Sequence, residues 1–340
     1  MSWRLNYTQK VESILAANMG LTGNKSFLCK PTSDTNLYAE ALKSIHGIDA
    51  GRIFFTLAEA EESLKSNQGD TLYVCPGEHL VTSQITWDKH QTRIVGLGGP
   101  NQRWASTTAP DGMIRLRCNT EAVTSLLNIT GQYVQMHGVE TINNFDTVTN
   151  VADIIIAGRN FYAEGCSFRG GNGGSTQLGA NSGIPVWVDA TTGKNSNMFK
   201  FKDCYIGSPG NGVRTDGPGA MYFDGGARTT FAAELISCVL AMRCETSGSA
   251  AVSLVELEQS SNDRYLLFKD CLFYNFWENL GGKLDYAVVD AETATHQILF
   301  WRCMFAGIDD LSNVATYSFS DNQATGSDGS GKATAVDATP

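Results

Sequence analysis

Apolar and polar residues alternate in short runs along much of the chain, and one such run returns five times. FYAEGCSF (161–168), FKFKDCYI (199–206), AELISCVL (233–240), LLFKDCLF (266–273) and ILFWRCMF (298–305) each carry a cysteine at the same point. Cys166, Cys204, Cys238, Cys271 and Cys303 are 38, 34, 33 and 32 residues apart. Three residues before them stand Ala163, Phe201, Leu235, Phe268 and Phe300, and two after stand Phe168, Ile206, Leu240, Phe273 and Phe305. Alternation of period two predicts strands with one buried face. The phase slips by one just before each cysteine, at Gly165, Asp203, Ser237, Asp270 and Arg302. A bend between two short strands produces that slip.

A strand–bend–strand unit recurring about every 33 residues predicts stacked coils, because no single coil can bury its apolar face alone. Equivalent residues then form columns through a shared core. Cys166, Cys204, Cys238, Cys271, Cys303, Phe201, Phe268 and Phe300 are the expected core ladder, and a buried thiol is small and apolar enough for such a rung. IPVWVDATTG (184–193), AMYFDGG (220–226), AVSLVELEQ (251–259) and YAVVDAET (286–293) supply further strands between the cysteines. Upstream, TLYVCPG (71–77), TRIVGLGG (92–99), MIRLRC (113–118) and YVQMHGVETI (133–142) continue the pattern, with Val139 at the cysteine position. From Thr71 to Phe305 there is room for about seven or eight coils, a rod roughly 35–40 Å long at about 4.8 Å per strand layer.

The segment FTLAEAEESLKSNQGDTLYVCPGEHLVTSQITW (55–87) combines a short amphipathic helix, Gly-Asp, an apolar strand and Pro-Gly. Thr56 and Glu59 form a capping box, and Asp70, Pro76 and Gly77 sit at matching positions. This resembles the opening of a pectin-lyase-like right-handed parallel β-helix, and VGLGG (95–99) resembles the glycine-rich close of its next turn. The resemblance spans about residues 50–310 and implies an all-β solenoid, a fold that hosts enzymes, adhesins and phage structural proteins alike.

Three segments follow. Residues 1–50 contain two expected amphipathic helices, TQKVESILAANMG (8–20) and NLYAEALKSIHG (36–47), joined by a connector at 21–35. They are expected to cap the open end of the solenoid or to dock it onto a larger body, with docking favoured because helix 55–66 already resembles the cap. Residues 51–319 are the solenoid. Residues 320–340 form a polar tail with almost no apolar content, expected to be disordered unless a partner orders it.

Composition adds limits. Among 340 residues there are 35 glycines and only 8 prolines, which favours strands joined by tight turns. The formal charge of −10 argues against a nucleic-acid partner. No apolar run reaches the roughly 20 residues that span a bilayer, so no membrane association is expected, and the first 20 residues lack a secretory pattern. The nine cysteines show no CxxC and no histidine at zinc-ligand spacing, so no metal and no cofactor are expected.

Chemistry is thinner. Enzymes of the resembled fold use carboxylates, calcium sites and an arginine on an outer groove. VWVDA (186–190) is similar to part of a lyase strand motif, but Ala190 stands where a histidine usually follows the aspartate. The acids expected to face outward are Asp189, Asp216, Asp224, Glu256, Glu258, Asp290, Asp309 and Asp310. A glycosidase needs two facing carboxylates. Asp189 with Asp224, or Asp224 with Glu256, meets that need across adjacent coils, giving a candidate glycan groove of Asp189, Asp224 and Glu256. Otherwise these are solvated acids on a negative surface. His46, His79, His90, His137 and His296 are dispersed and read as surface or turn residues. Trp87, Trp104, Trp187, Trp277 and Trp301 form a sugar platform only where exposed. The glycine-rich stretches 169–183 and 207–219 lack the Lys-Ser/Thr of a phosphate loop and read as protrusions.

The resemblance implies a phage virion protein, assembled in the host cytoplasm and homotrimeric. The expected role is that of a non-enzymatic capsid decoration (cement) protein held to the major capsid protein or another virion protein. The alternative is a tail spike or fibre that binds or cleaves host surface polysaccharide. A secreted polysaccharide lyase fits less well, for want of a signal peptide and motif residues.

Overall fold

A computed structural model describes residues 25–31, 48, 50–98, 114–118, 120, 123–143, 151–171, 177–178, 183–189, 198–207, 213–214, 217–225, 230–243, 252–258, 262–275, 284–290, 298–312, 317–320, 323–325 and 333–335. The chain winds through three long sheets, of 11, 10 and 8 strands, whose order follows the coils. Each coil crosses the third sheet, then the first, then the second. Ile184–Asp189, Phe199–Lys202 and Tyr205–Gly207 make one such coil, and Gly217–Asp224, Thr230–Ile236 and Val239–Met242 the next. The architecture is a right-handed parallel β-helix, as the recurring pattern predicts.

The repeated octapeptide is the corner between the first and second sheets. Register runs Ala163↔Phe201↔Leu235↔Phe268↔Phe300 before the corner and Phe168↔Ile206↔Leu240↔Phe273↔Phe305 after it. All ten side chains are buried, as are the five cysteines between them. The corner residues Gly165, Asp203, Ser237, Asp270 and Arg302 have φ of 60°, 52°, 53°, 56° and 52°. That left-handed conformation turns the chain in a single residue and shifts the alternation by one. Gly138, before Val139, has φ of 64° and extends the column one coil earlier. Ladder bonding passes through the corner without a break, since Asp203 N donates to Ile236 O at 2.9 Å and Val239 N to Cys204 O at 2.9 Å.

The cysteine column is structural. Sγ of Cys166, Cys204, Cys271 and Cys303 donates to carbonyls of preceding coils, at Met136 (3.4 Å), Ala163 (3.6 Å), Leu235 (3.3 Å) and Phe268 (3.4 Å). A thiol suits this place because it is a weak donor that tolerates an apolar surround. Burial holds the thiols of Cys166 and Cys238 well above the free-thiol range.

At the N-terminal end, helix Leu57–Ser63 starts at Thr56, whose Oγ1 accepts from Glu59 N at 3.2 Å. Asp70, fully buried, accepts from Lys25 N at 3.1 Å and Lys65 N at 2.9 Å, tying the helix exit to an incoming strand. That strand is a departure from the sequence reading. Ser26–Cys29, expected within a connector, lies in the first sheet between Ile53–Phe54 and Thr71–Val74. Leu28 packs with Ile48, Tyr73, Cys75, Val95 and Leu97 on the sheet's outer side, while Phe27 and Cys29 join the core. Part of segment 1–50 therefore belongs to the solenoid. The helices expected over 8–20 and 36–47 lie outside the described residues.

The far end also differs from a loose tail. Tyr317–Ser320 and Gln323–Thr325 extend the first and second sheets, and Ala333–Ala335 pairs antiparallel with Gln323–Thr325. The solenoid thus runs past residue 319. One irregularity lies in the third sheet. Pro218 faces Ser253 but Met221 faces Val255, so Gly217–Asp224 carries one residue more than its neighbour and bulges before Met221.

Candidate functional site

The outer face of the third sheet follows from alternation. Val186 and Val188, Met221 and Phe223, and Val255 and Leu257 are buried in the core. The residues between them face outward. Register pairs Trp187↔Tyr222↔Glu256 and, two residues later, Asp189↔Asp224. Glu258 N donates to Phe223 O at 2.9 Å, carrying the pairing past the strand end and placing Glu258 beside Asp224. Two rows result along the axis of the solenoid. One runs Asn128, Ile155, Trp187, Tyr222, Glu256, Val289. The other is an acid row of Asp189, Asp224 and Glu258.

The rows interlock. The Trp187 and Tyr222 rings meet edge to face, with centroids 4.5 Å apart and planes at 71°. The indole N–H of Trp187 donates to Asp224. Tyr222 OH donates to Glu258 Oε2 at 2.8 Å, and Gly225 N donates to the same oxygen at 3.3 Å. Asp224 and Glu258 stand side by side in this row, so each carboxyl group disfavours the charge of the other. Burial, the bond to Glu258 and the charges of Glu258 and Asp189 push the Asp224 carboxyl up to about 6, against the opposing bond from Trp187. Burial and Glu258 likewise hold the Tyr222 phenol far above its ordinary range.

Of the groove expected from sequence, Asp189 and Asp224 do come together, in register on neighbouring strands. Parallel neighbours lie about 4.8 Å apart backbone to backbone, and the two side chains leave the same face of the sheet. Glu256 lies one row off, beside Tyr222, and Glu258 takes the third place in the acid row. Aligning WVD (187–189), YFD (222–224) and ELE (256–258) on their buried middle residues, Val188, Phe223 and Leu257, finds Glu258 and both aromatic residues from sequence. Asp290 was expected outside; it is buried, in register with Leu257 of the core row. Asp216 lies outside the described residues.

Other polar clusters are closed. On the first sheet, Glu164 accepts from Tyr162 OH at 2.9 Å and Lys202 Nζ at 2.7 Å, with His137 Nδ1 at 3.7 Å. On the second sheet, Glu140 bridges Arg115 (2.6 Å) and Arg169 (3.2 Å), and all three are buried. His79, expected on the surface or in a turn, is buried. Its Nε2–H donates to Cys75 O at 2.9 Å and its Nδ1 lies 3.7 Å from Cys29 Sγ. Burial lowers that imidazole and raises the Cys29 thiol, so the pair stays neutral. Trp87 is a core residue, whereas Trp301 is exposed, with Lys269 Nζ 4.3 Å from its ring centroid. Among the described residues no three metal-ligating side chains converge, and no helix is long and apolar enough to cross a membrane.

No protein-family profile matches the chain, and no curated protein does. Solved structures do. The chain is similar to pectin methylesterase PemA from Erwinia chrysanthemi, with a TM-score of 0.55 and 12% identity over 92% of this chain and 91% of that one. It is similar to the pectin methylesterase from Aspergillus niger, with a TM-score of 0.51 and 12% identity over 94% and 92%. A more distant likeness is a tailspike protein from Acinetobacter baumannii bacteriophage Fri1, a capsular polysaccharide depolymerase, with a TM-score of 0.37 and 13% identity over 76% and 56%. The likenesses confirm the pectin-lyase-like parallel β-helix. They also correct the expectation of a non-enzymatic protein, since the structures that share the fold over nearly the whole chain are enzymes.

Proposed function

We propose that the protein cleaves a glycan on the outer face of its third sheet, as a tail spike does, with Asp224 as general acid and Asp189 as the facing carboxylate. The observation that carries this reading is the in-register pairing of Asp189 with Asp224 beside the Trp187–Tyr222 pair. A half-buried carboxyl held up to about 6 keeps a proton to give to a leaving glycosidic oxygen. A partner carboxyl on the adjacent strand, about 4.8 Å away backbone to backbone, suits the short separation associated with retention of configuration. Asp189 then attacks the anomeric carbon as the bond to the leaving oxygen breaks and Asp224 protonates that oxygen. Water afterwards gives its proton to Asp224 and hydrolyses the glycosyl ester, which restores Asp189. Trp187 stacks on the sugar ring and positions Asp224 through its N–H.

Fold likeness to enzymes whose names point to pectin supports a polysaccharide substrate. The placement on a virus particle rests on the resemblance in the sequence. A capsid-decoration role draws no support from the structural likenesses, whereas the tail-spike role is compatible with them. The test is depolymerisation of bacterial surface polysaccharides by the full chain and by Asp224→Asn and Asp189→Asn, read as new reducing ends and anomeric configuration. Cleavage with retention, lost at least about a thousandfold in both variants, is expected. Undiminished cleavage in both variants, or none by the parent chain on any polymer, sinks the reading.

A further inference from the structure

The outer face of the first sheet carries an aromatic position that the cleavage reading leaves unused. Trp301 follows the buried Phe300, so alternation turns its ring outward, and 42% of it is exposed. Along its row the register runs Ile236↔Lys269↔Trp301. Lys269 reaches over the ring, with Nζ 4.3 Å from the centroid. Arg302, at the corner with φ of 52°, brings its guanidinium carbon to 5.3 Å from the same centroid. Its Nη2 donates to Asp270 Oδ2 at 2.7 Å, at the corner one coil earlier. Past the corner, Met304 is also exposed. Among the described residues, two cations and one carboxylate thus border an exposed indole, on a chain whose formal charge is −10.

These contacts orient the ring as well as charging its surroundings. The ring quadrupole attracts each cation, and Asp270 ties Arg302 from its other side. Trp301 is therefore set in place before a ligand arrives, which lowers the ordering cost of binding. An indole offers an apolar surface to the carbon–hydrogen face of a sugar ring. Lys and Arg form charge-assisted hydrogen bonds to a carboxylate. We infer that Trp301, Lys269 and Arg302 form a second glycan-binding site, which holds a sugar bearing a carboxylate. The inference takes its ligand class, a polysaccharide, from the reading above. The site lies on the first sheet and the acid row on the third, so holding the polymer and cutting it are tasks of different faces.

The test uses the full chain at pH 7 and low salt. Hyaluronan hexasaccharide is the carboxylate-bearing probe and chitohexaose the uncharged probe of the same length, and calorimetric titration reads binding without turnover. The hyaluronan probe should bind at least about tenfold more tightly than chitohexaose, and 1 M salt should remove most of that difference. Trp301→Ala and Lys269→Gln should each weaken its binding at least about tenfold. Their urea midpoints should stay close to the parent's, since both side chains point away from the core. Asp224→Asn should leave binding within about twofold. Loss of binding in Asp224→Asn but not in Trp301→Ala places the ligand at the acid row and overturns the inference. Equal binding of the two probes, or binding of neither, overturns it as well. The cleavage reading stands or falls separately, on the new reducing ends of its own test, where Trp301→Ala should keep kcat within about twofold.

Discussion

Phe300 lies flat on Phe268 one coil away, with ring centroids 5.3 Å apart and planes inclined by only 12°. Phe273 and Phe305 repeat the stack across the corner at 4.8 Å and 17°, and Phe300 meets Phe305 edge-on at 5.4 Å. Four rings from two coils thus form one block. Phe300→Ala should cost about 3–5 kcal/mol, from lost transfer free energy and the cavity left behind. Phe300→Leu should cost less than half of that. Urea unfolding monitored by fluorescence checks both, and a loss below about 1 kcal/mol for the alanine variant would show that the block is loosely packed.

Ser237 holds a left-handed φ of 53° at the corner, a conformation that costs an ordinary residue about 1–2 kcal/mol and glycine nothing. Its side chain is exposed. Ser237→Gly should therefore stabilise the fold, by less than about 1 kcal/mol once the greater freedom of glycine in the unfolded chain is subtracted. Ser237→Val should destabilise it. A rise in the urea midpoint for the first and a fall for the second is the expected pair of results.

Asp153 is fully buried. Its Oδ2 accepts from Thr141 Oγ1 at 2.9 Å and Gly170 N at 2.8 Å, while Oδ1 has no hydrogen-bond partner. Burial, with a smaller contribution from Glu140, pushes the carboxyl up to about 7 in the fold. In the unfolded chain an aspartate ionises near 3.9. Below that pH both states hold the proton and the group has no effect. Between about 4 and 7 only the unfolded state releases it, so stability falls as pH rises, and above 7 the loss is constant. Asp153→Asn removes the ionisation, so the difference from the parent should grow across that window to a few kcal/mol. A difference that does not change with pH would mean that Asp153 is ionised throughout.

Catalysis should follow Asp224. As a general acid it must be protonated, so kcat/KM should fall about tenfold per pH unit above about pH 6. Glu258 raises that carboxyl by its hydrogen bond and its charge. Glu258→Gln should therefore move the alkaline limb to lower pH while leaving kcat at acidic pH within about tenfold. An unmoved limb would assign the titration to another group.

The eight described cysteines are all buried, and none of them is in a disulfide. A thiol reagent added to the native protein should leave them unmodified over minutes, and in denaturant all should react at once. Rapid labelling of Cys204 or Cys271 in the folded state, read by peptide mass, would contradict the buried column.

The coil was legible because its signal repeats. One strand of four residues fixes little, but five aligned copies identify the inward positions, the phase slip and the corner residue together. Ser26–Cys29 was not legible, because four residues between Lys25 and Lys30 cannot display a period and its partners lie up to 45 residues away. Asp189 and Asp224 could be found because each ends a strand. Glu258 was passed over for Glu256 because the distance from this strand to the next corner cysteine changes from coil to coil, while an alignment on buried anchors survives the change. The buried Arg115–Glu140–Arg169 cluster was invisible to alternation. A strand pattern says which side chains leave the core, but not what lies over a sheet's outer face.

That bulge also divides the labour within the strand Gly217–Asp224. Its extra residue is absorbed between Pro218 and Met221, beside Gly219, where an added Cβ would run into Met242. From Met221 onward the pairing with both neighbours is regular. A lineage that gains or loses a residue in the upstream half can take up the change there without rotating Tyr222 and Asp224 off the outer face. The length of the upstream half and the aim of the acid row are thus set independently.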